Sequence, residues 1–239
     1  MHLLVPAVLP NSREDLERAV ALFEKMPTVT RVQIDTVDGQ FARPASWPYT
    51  DVRAFRSMAE RGELLPAIER FEYEIDLMNL DAERAGDVWL SLGASRLTFH
   101  AESTTDLPRL LERMHLRHSA GPGFRSGLVS FGVALNLASD LPIIERSLEL
   151  ADYVQFMGIR QIGRQGQPFD RRVYERVRAF RKRYPDIPVQ VDGGVKLSEA
   201  KELAALGVSN VIVGSGLLRA ADPVAEAAKY ADLENSYGV

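Results

Sequence analysis

Eight short apolar runs alternate with eight longer amphipathic ones along this chain, and few folds can accommodate that order. The runs at residues 3–8, 31–36, 71–77, 95–100, 128–135, 153–157, 189–192 and 210–213 have the length and apolar content of buried strands. Between and after them, residues 13–25, 51–61, 82–92, 106–118, 141–150, 171–184, 198–206 and 223–233 carry apolar side chains at spacings of three and four, as helices require. Asn11 or Ser12 is placed to cap the first helix and Ser198, before Glu199, the seventh, while Gly62, Gly93 and Gly207 mark helix ends. Eight βα units in 239 residues match a single (β/α)8 TIM barrel, which occupies about 250 residues. A doubly wound open sheet shares the local pattern. No linker or low-complexity tract divides the chain, so residues 1–239 read as one TIM-barrel domain.

Composition narrows the partners. Twenty-nine basic against 33 acidic residues leave a formal charge of −4, which disfavours general attraction to nucleic acid or anionic membrane. The absence of cysteine removes disulfides, thiolate metal sites and thiol nucleophiles, and suits the cytoplasm. The apolar start from Leu3 to Leu9 is too short for a signal-peptide core and lacks a basic lead, and no stretch reaches the length of a membrane span. The expectation is a soluble cytoplasmic protein, whose apolar barrel rim can support a homo-oligomer.

In barrels of this kind chemistry sits on the loops that follow the strands. The longest span residues 38–50, with Arg43 and Trp47, and 158–169, reading GIRQIGRQGQPF. The second has the glycine, glutamine and arginine content of a mobile lid, although an ordinary exposed loop has the same composition.

Four polar side chains stand at or near the C-terminal ends of apolar strands: Gln33 and Asp35 on the second, Asp76 on the third and Asp192 on the seventh. Gln33 and Asp35 are two apart and point to one face. Taken singly, an aspartate there suits a turn or cap; taken jointly, three carboxylates and an amide converge at the barrel mouth. Gly193-Gly194 and Gly214-Ser215-Gly216 follow strands seven and eight, where small residues leave backbone N–H groups open to a phosphate.

The order of these motifs resembles the ribulose-phosphate 3-epimerase family across nearly the whole chain. Val5-Pro6-Ala7-Val8-Leu9 is similar to the family's Pro-Ser-Ile-Leu opening, and Gln33-Ile-Asp35-Thr-Val-Asp38-Gly39-Gln-Phe41 to its His-x-Asp-x-Met-Asp-Gly-x-Phe segment. Glu74-Ile-Asp76-Leu-Met78 resembles Asp-Val-His-Leu-Met, His100-Ala-Glu102 the His-x-Glu of strand four, and Gly132-Val-Ala-Leu-Asn136 the Gly-x-Ala-Leu-Asn of strand five. Val191-Asp192-Gly193-Gly194 matches the Val-Asp-Gly-Gly of strand seven, and Gly214-Ser215 the phosphate loop. The chain departs from the pattern where Gln33 and Asp76 occupy the two metal-binding histidine positions, where Ala7 replaces serine and Val37 replaces methionine, and in the lid, which keeps only Gly163, Gly166 and Gln167 of the family's character.

The resemblance implies epimerisation beside a ketone, with D-ribulose 5-phosphate or a related ketose phosphate as substrate. Proton removal from one face and return to the other needs two acid/base groups, for which Asp35 and Asp192 stand as base and acid. Met78, Gly163, Arg164, Gly166, Gly193, Gly194, Gly214 and Ser215 are expected to bind substrate and its phosphate, with Arg164 or Arg160 closing over it. Gln33, Asp35, Asp76 and Asp192 form the expected metal site. Their oxygen donors suit Mg²⁺ or Mn²⁺ better than Zn²⁺, and nothing calls for an organic cofactor. His100 is either an additional imidazole ligand or a hydrogen-bonded core residue, and His2, His115 and His118 read as structural or surface groups.

None of the five lysines, Lys25, Lys182, Lys196, Lys201 and Lys229, lies in an expected strand, which disfavours Schiff-base chemistry and the Asp-x-Lys-x-x-Asp arrangement of related decarboxylases and hexulose-phosphate synthases. Two function classes stay open. Retention of both aspartates favours an epimerase; replacement of both histidines favours a barrel that binds a phosphorylated ligand without epimerising it.

Overall fold

Strand follows helix in the expected order because each strand is buried on both faces and each helix on one. The computed structural model describes residues 2–118 and 128–237, with side chains to residue 234. Its strands are β1 (Leu4–Val8), β2 (Arg31–Val37), β3 (Glu72–Met78), β4 (Arg96–His100), β5 (Ser130–Leu135), β6 (Tyr153–Met157), β7 (Val189–Asp192) and β8 (Asn210–Val213). All pair in parallel with their sequence neighbours, and β8 returns to β1 through Leu4 opposite Val211. The sheet is therefore a closed (β/α)8 barrel and not a doubly wound open sheet.

Around it run α1 (Arg13–Phe23), α2 (Val52–Glu60), α3 (Ala82–Ser91), α4 (Leu107–His118), α5 (Pro142–Glu145), α6 (Arg172–Arg183), α7 (Leu197–Ala205), α8 (Ser215–Leu218) and α9 (Pro223–Tyr237). The first shows the rule. Leu16, Ala19, Val20 and Phe23 form its buried face, and the Ser12 hydroxyl accepts from the N–H of Asp15 at 3.2 Å. Three expectations need correction. The fifth helix is one turn at Pro142–Glu145, not 141–150, and residues beyond it continue as turns. Ser198 lies inside α7, whose cap is Lys196; the Glu199 carboxylate reaches back to the Lys196 N–H at 3.1 Å. The short α8 precedes the final helix, where no separate element was expected.

The main apolar core lies between sheet and helices. Trp89, Phe23, Phe99, Phe131 and Phe180 are fully buried there, and full burial stabilises such a side chain by about 1.5–3 kcal/mol. Trp47, from the long loop after β2, belongs to this core: its ring meets Phe55 at 5.8 Å and Trp89 at 5.9 Å. Among the described residues, no helix is long and apolar enough to cross a membrane.

Candidate active site

The inside of the barrel is polar where its outside is apolar. Period-two alternation on the strands places Arg31, Gln33 and Asp35 of β2 inward beside Glu74 and Asp76 of β3, with Gln33 opposite Glu74 and Asp35 opposite Asp76 in the ladder. Deep in the barrel, Glu74 is fully buried against Arg96 at 3.1 Å and Arg31 at 3.9 Å. The Thr98 hydroxyl donates to it at 2.9 Å, and the Gln190 amide donates to Glu74 and, at 2.7 Å, to Gln155. Burial alone would raise the Glu74 pKa; the charges of Arg96 and Arg31 outweigh it and hold the carboxyl below its usual range.

One layer nearer the mouth, the Gln33 side-chain nitrogen donates to Asp35 at 2.8 Å and across the barrel to Asp192 at 3.1 Å. Asp76 Oδ1 lies 3.0 Å from His100 Nε2, both fully buried. One oxygen from each of Asp35, Asp76 and Asp192 lies within 4.8 Å of the other two, so the four residues singled out at strand ends do converge. His100 is thus buried and hydrogen-bonded, and Phe41 rests against its ring at 5.5 Å.

Crowding carboxylates in a buried site favours their protonated forms. Burial, with the charge of Asp76, pushes Asp35 up to about 8. Burial, with the charges of Asp35 and Asp76, also raises Asp192 well above the carboxylate range. Burial opposes a charge on His100, but the neighbouring Asp76 carboxylate prevails and raises its pKa. Two carboxyls displaced upward and bridged by one amide can share a proton, one acting as acid and the other as base.

A cavity of about 300 Å³ opens onto this pair. Asp35 and Asp192 line it, while Gln33 and Asp76 lie behind them without exposure. Met78 and Met157 contribute apolar wall, Gly193 and Gly194 follow β7, and Gly214 and Ser215 follow β8. Gly193 and Gly194 have φ of +106° and +71°, and a Cβ on Gly194 would stand 2.6 Å from the Phe169 nitrogen, so only glycine serves at this turn. Gly194, Ser215 and Gly216 line the cavity, the last two in the first turn of α8. Gly163, Arg164 and Gly166 reach the cavity from the loop after β6. Arg160 does not; it pairs with Asp170 at 2.9 Å.

Two polar lining residues escaped the sequence reading, as did apolar ones such as Met157. Lys196 follows the β7 glycines by two positions and stands at the cavity edge, away from any strand. Gln165 sits in the lid, whose composition was noted but whose individual amides were not distinguished. Of the remaining histidines, His2 contacts Glu234 at 3.2 Å and His118 contacts Asp87 at 2.7 Å, away from the cavity, and His115 packs on Phe131.

A family model described as the ribulose-phosphate 3 epimerase family matches residues 3–218. The chain belongs to this family. Ribulose-phosphate 3-epimerases are isomerases. The one from Schizosaccharomyces pombe is 26% identical over 220 residues, covering 92% of this chain and 88% of that protein. The one from Aquifex aeolicus is 28% identical over 203 residues, covering 83% and 82%. Among solved structures, 3-hexulose-6-phosphate synthase from Salmonella typhimurium superposes with a TM-score of 0.67 at 21% identity, over 99% of this chain and all of that one. KGPDC from Streptococcus mutans gives 0.65 at 13% identity, over 99% of each. At such identities the structural likeness is one of fold.

Proposed function

We propose that this protein is a sugar-phosphate 3-epimerase interconverting D-ribulose 5-phosphate and D-xylulose 5-phosphate, or the equivalent pair of a related ketose phosphate. The observation that carries the reading is the Asp35–Asp192 pair: bridged by Gln33, displaced toward protonation, and lining one cavity with Gly193, Gly194, Gly214 and Ser215.

The C3 proton of a ketose is acidic because the electrons it leaves behind delocalise into the C2 carbonyl. With the phosphate against the glycine-lined loops, C3 lies two carbons and an ester oxygen away, toward the carboxylates. The ionised member of the pair removes the proton from one face and an enediolate forms. The protonated member then delivers its proton to the opposite face. Each turnover leaves the base holding the proton taken from C3 and the acid ionised, so the pair is poised for the reverse reaction. Arg164 adds positive charge over the phosphate from the lid, and Met78 with Met157 limits water beside the reacting carbon.

The donor set fits a hard divalent cation. Asp76 Oδ2 and Gln33 Oε1 are buried without partners among the described residues, and one oxygen from each of Asp35, Asp76 and Asp192 lies within 4.8 Å of the others. Asp35, Asp76, Asp192 and Gln33 would hold it, and oxygen donors favour Mg²⁺ or Mn²⁺ over Zn²⁺. When bound, such an ion supplies positive charge beside the enediolate oxygens.

The test is turnover of ketopentose and ketohexose phosphates in D₂O with Mg²⁺ or Mn²⁺. The expected result is epimerisation of a ketose phosphate with solvent deuterium at C3. Neither turnover nor exchange with any of them would leave a barrel that binds a phosphorylated ligand without epimerising it.

A further inference from the structure

We infer that Gln165 is a specificity-determining residue: its side-chain amide, carried on the lid, donates a hydrogen bond to the phosphate of the bound ligand. The inference rests on the epimerase reading for the identity of the ligand, and on the cavity alone for the donor.

Two glutamine amides of the lid behave differently. Gln167 Nε2 donates to the backbone carbonyls of Gln161 and, at 3.1 Å, of Arg164, so it holds the loop in shape. Arg164 in turn donates from Nε to the Arg43 carbonyl at 3.2 Å, which ties the lid to the loop after β2. Gln165, between these two anchors, has its Nε2 buried with no acceptor among the described residues, and the residue lines the cavity. A buried N–H without a partner is costly, and the cavity is where an acceptor can enter.

The position of the amide selects the acceptor. A Cβ on Gly214 would stand 3.0 Å from Gln165 Nε2 and 3.6 Å from its Cδ. The absent side chain of Gly214 therefore makes room for the amide over the start of the β8 loop. The amide thus stands beside Gly214, which together with Ser215 lines the cavity after β8. An amide nitrogen can only donate, and the group expected beside that loop, a phosphate, offers only acceptors there. Arg164 and Lys196, also on the wall, supply charge but are long and exposed. The shorter amide, fixed between two anchored neighbours, supplies direction.

Gln165→Met keeps the length of the side chain and removes the donor; Gln165→Ala repeats the test without the thioether. Inorganic phosphate is the probe, titrated by calorimetry against the full-length protein, with KM and kcat for a ketose phosphate measured alongside. A hydrogen bond to a charged group predicts phosphate binding weaker by about 10- to 100-fold in both variants, with the kinetic loss falling in KM, at unchanged thermal stability. Phosphate binding unchanged in the variants would overturn the inference and leave the epimerase reading standing. So would a loss confined to the sugar phosphate, since the amide would then read the sugar, and so would a natural protein that binds no inorganic phosphate. If no ketose phosphate is turned over but phosphate binding still depends on Gln165, the inference stands and the reaction reading falls.

Discussion

Gly132→Ala sets two effects of opposite sign against each other. Gly132 of β5 pairs with Tyr153 of β6, and its backbone has no positive φ, so alanine fits the strand conformation. On backbone entropy alone the change would stabilise by about 0.5–1 kcal/mol. The new methyl, however, would lie 2.1, 2.2 and 2.6 Å from three ring carbons of Tyr153. That ring is 2% exposed, stacks under the Arg96 guanidinium at 4.0 Å, and has its hydroxyl 2.8 Å from that of Thr98. It cannot move without losing these contacts. Overpacking costs about 1–3 kcal/mol, the hydroxyl hydrogen bond about 1 and a desolvated cation–π contact up to about 2. After the entropic gain, the expected net loss is about 1–5 kcal/mol, or about 2–20 °C in Tm for a chain of this size. Urea unfolding followed by circular dichroism measures it, with an unchanged m-value showing that the unfolded state is not the cause. The same substitution in a Tyr153→Leu background should cost much less. Equal costs in the two backgrounds, or a Gly132→Ala protein as stable as the natural one, would refute the packing described for the barrel interior.

The other expectations concern charge. Glu74 is lowered in the folded state, so its stabilisation is fully present above the ordinary carboxylate pKa and is lost as pH falls through the folded value. Glu74→Gln should accordingly flatten the acid limb of a stability-against-pH curve; it should also cost about 3 kcal/mol at neutral pH, because Arg96 is left buried without its counter-charge. Replacing Gln33 and Asp76 together by histidine should raise Zn²⁺ affinity, measured by competition with a chromogenic chelator. Stoichiometric, tightly held Zn²⁺ in the natural protein would contradict the reading of these two positions as oxygen donors for a harder ion.

Most of the barrel was legible because its constraints are local. Eight apolar runs and eight amphipathic ones need only the two side-chain periods, and strand ends shifted by no more than two residues. The fifth helix was overestimated because residues 141–150 keep helical apolar spacing, whereas the chain makes one turn at Pro142–Glu145 and then passes through further turns. At α7, Ser198 is a common cap type, but the backbone enters the helix two residues earlier, where Glu199 satisfies the Lys196 N–H. Asp35, Asp76 and Asp192 were visible as polar residues ending apolar strands. The bridging of Asp35 and Asp192 by Gln33 was not, since a contact over 159 positions of sequence exists only once the barrel closes. Glu74 and Arg96 were not singled out, because an isolated charge in a strand reads equally as a solvent-facing residue until the closed barrel sets β3 beside β4 and across from β7. Gln165 carried no local signal: its role depends on which lid amide finds a backbone acceptor.

The central claim is that Asp35 and Asp192 serve opposite faces of one carbon, and proton exchange in Asp35→Asn and Asp192→Asn measures it most directly. Net epimerisation should fall by about 10² to 10⁴ or more in each, the scale of a lost general acid/base. With each of the two epimers supplied separately in D₂O, nuclear magnetic resonance should show one mutant exchanging the C3 proton of one epimer and the other mutant exchanging that of its partner. Damage to the fold or to a shared ion would suppress both exchanges in both proteins, so the crossed pattern is specific to two bases on two faces. Equal residual exchange of both epimers in both mutants would contradict the account.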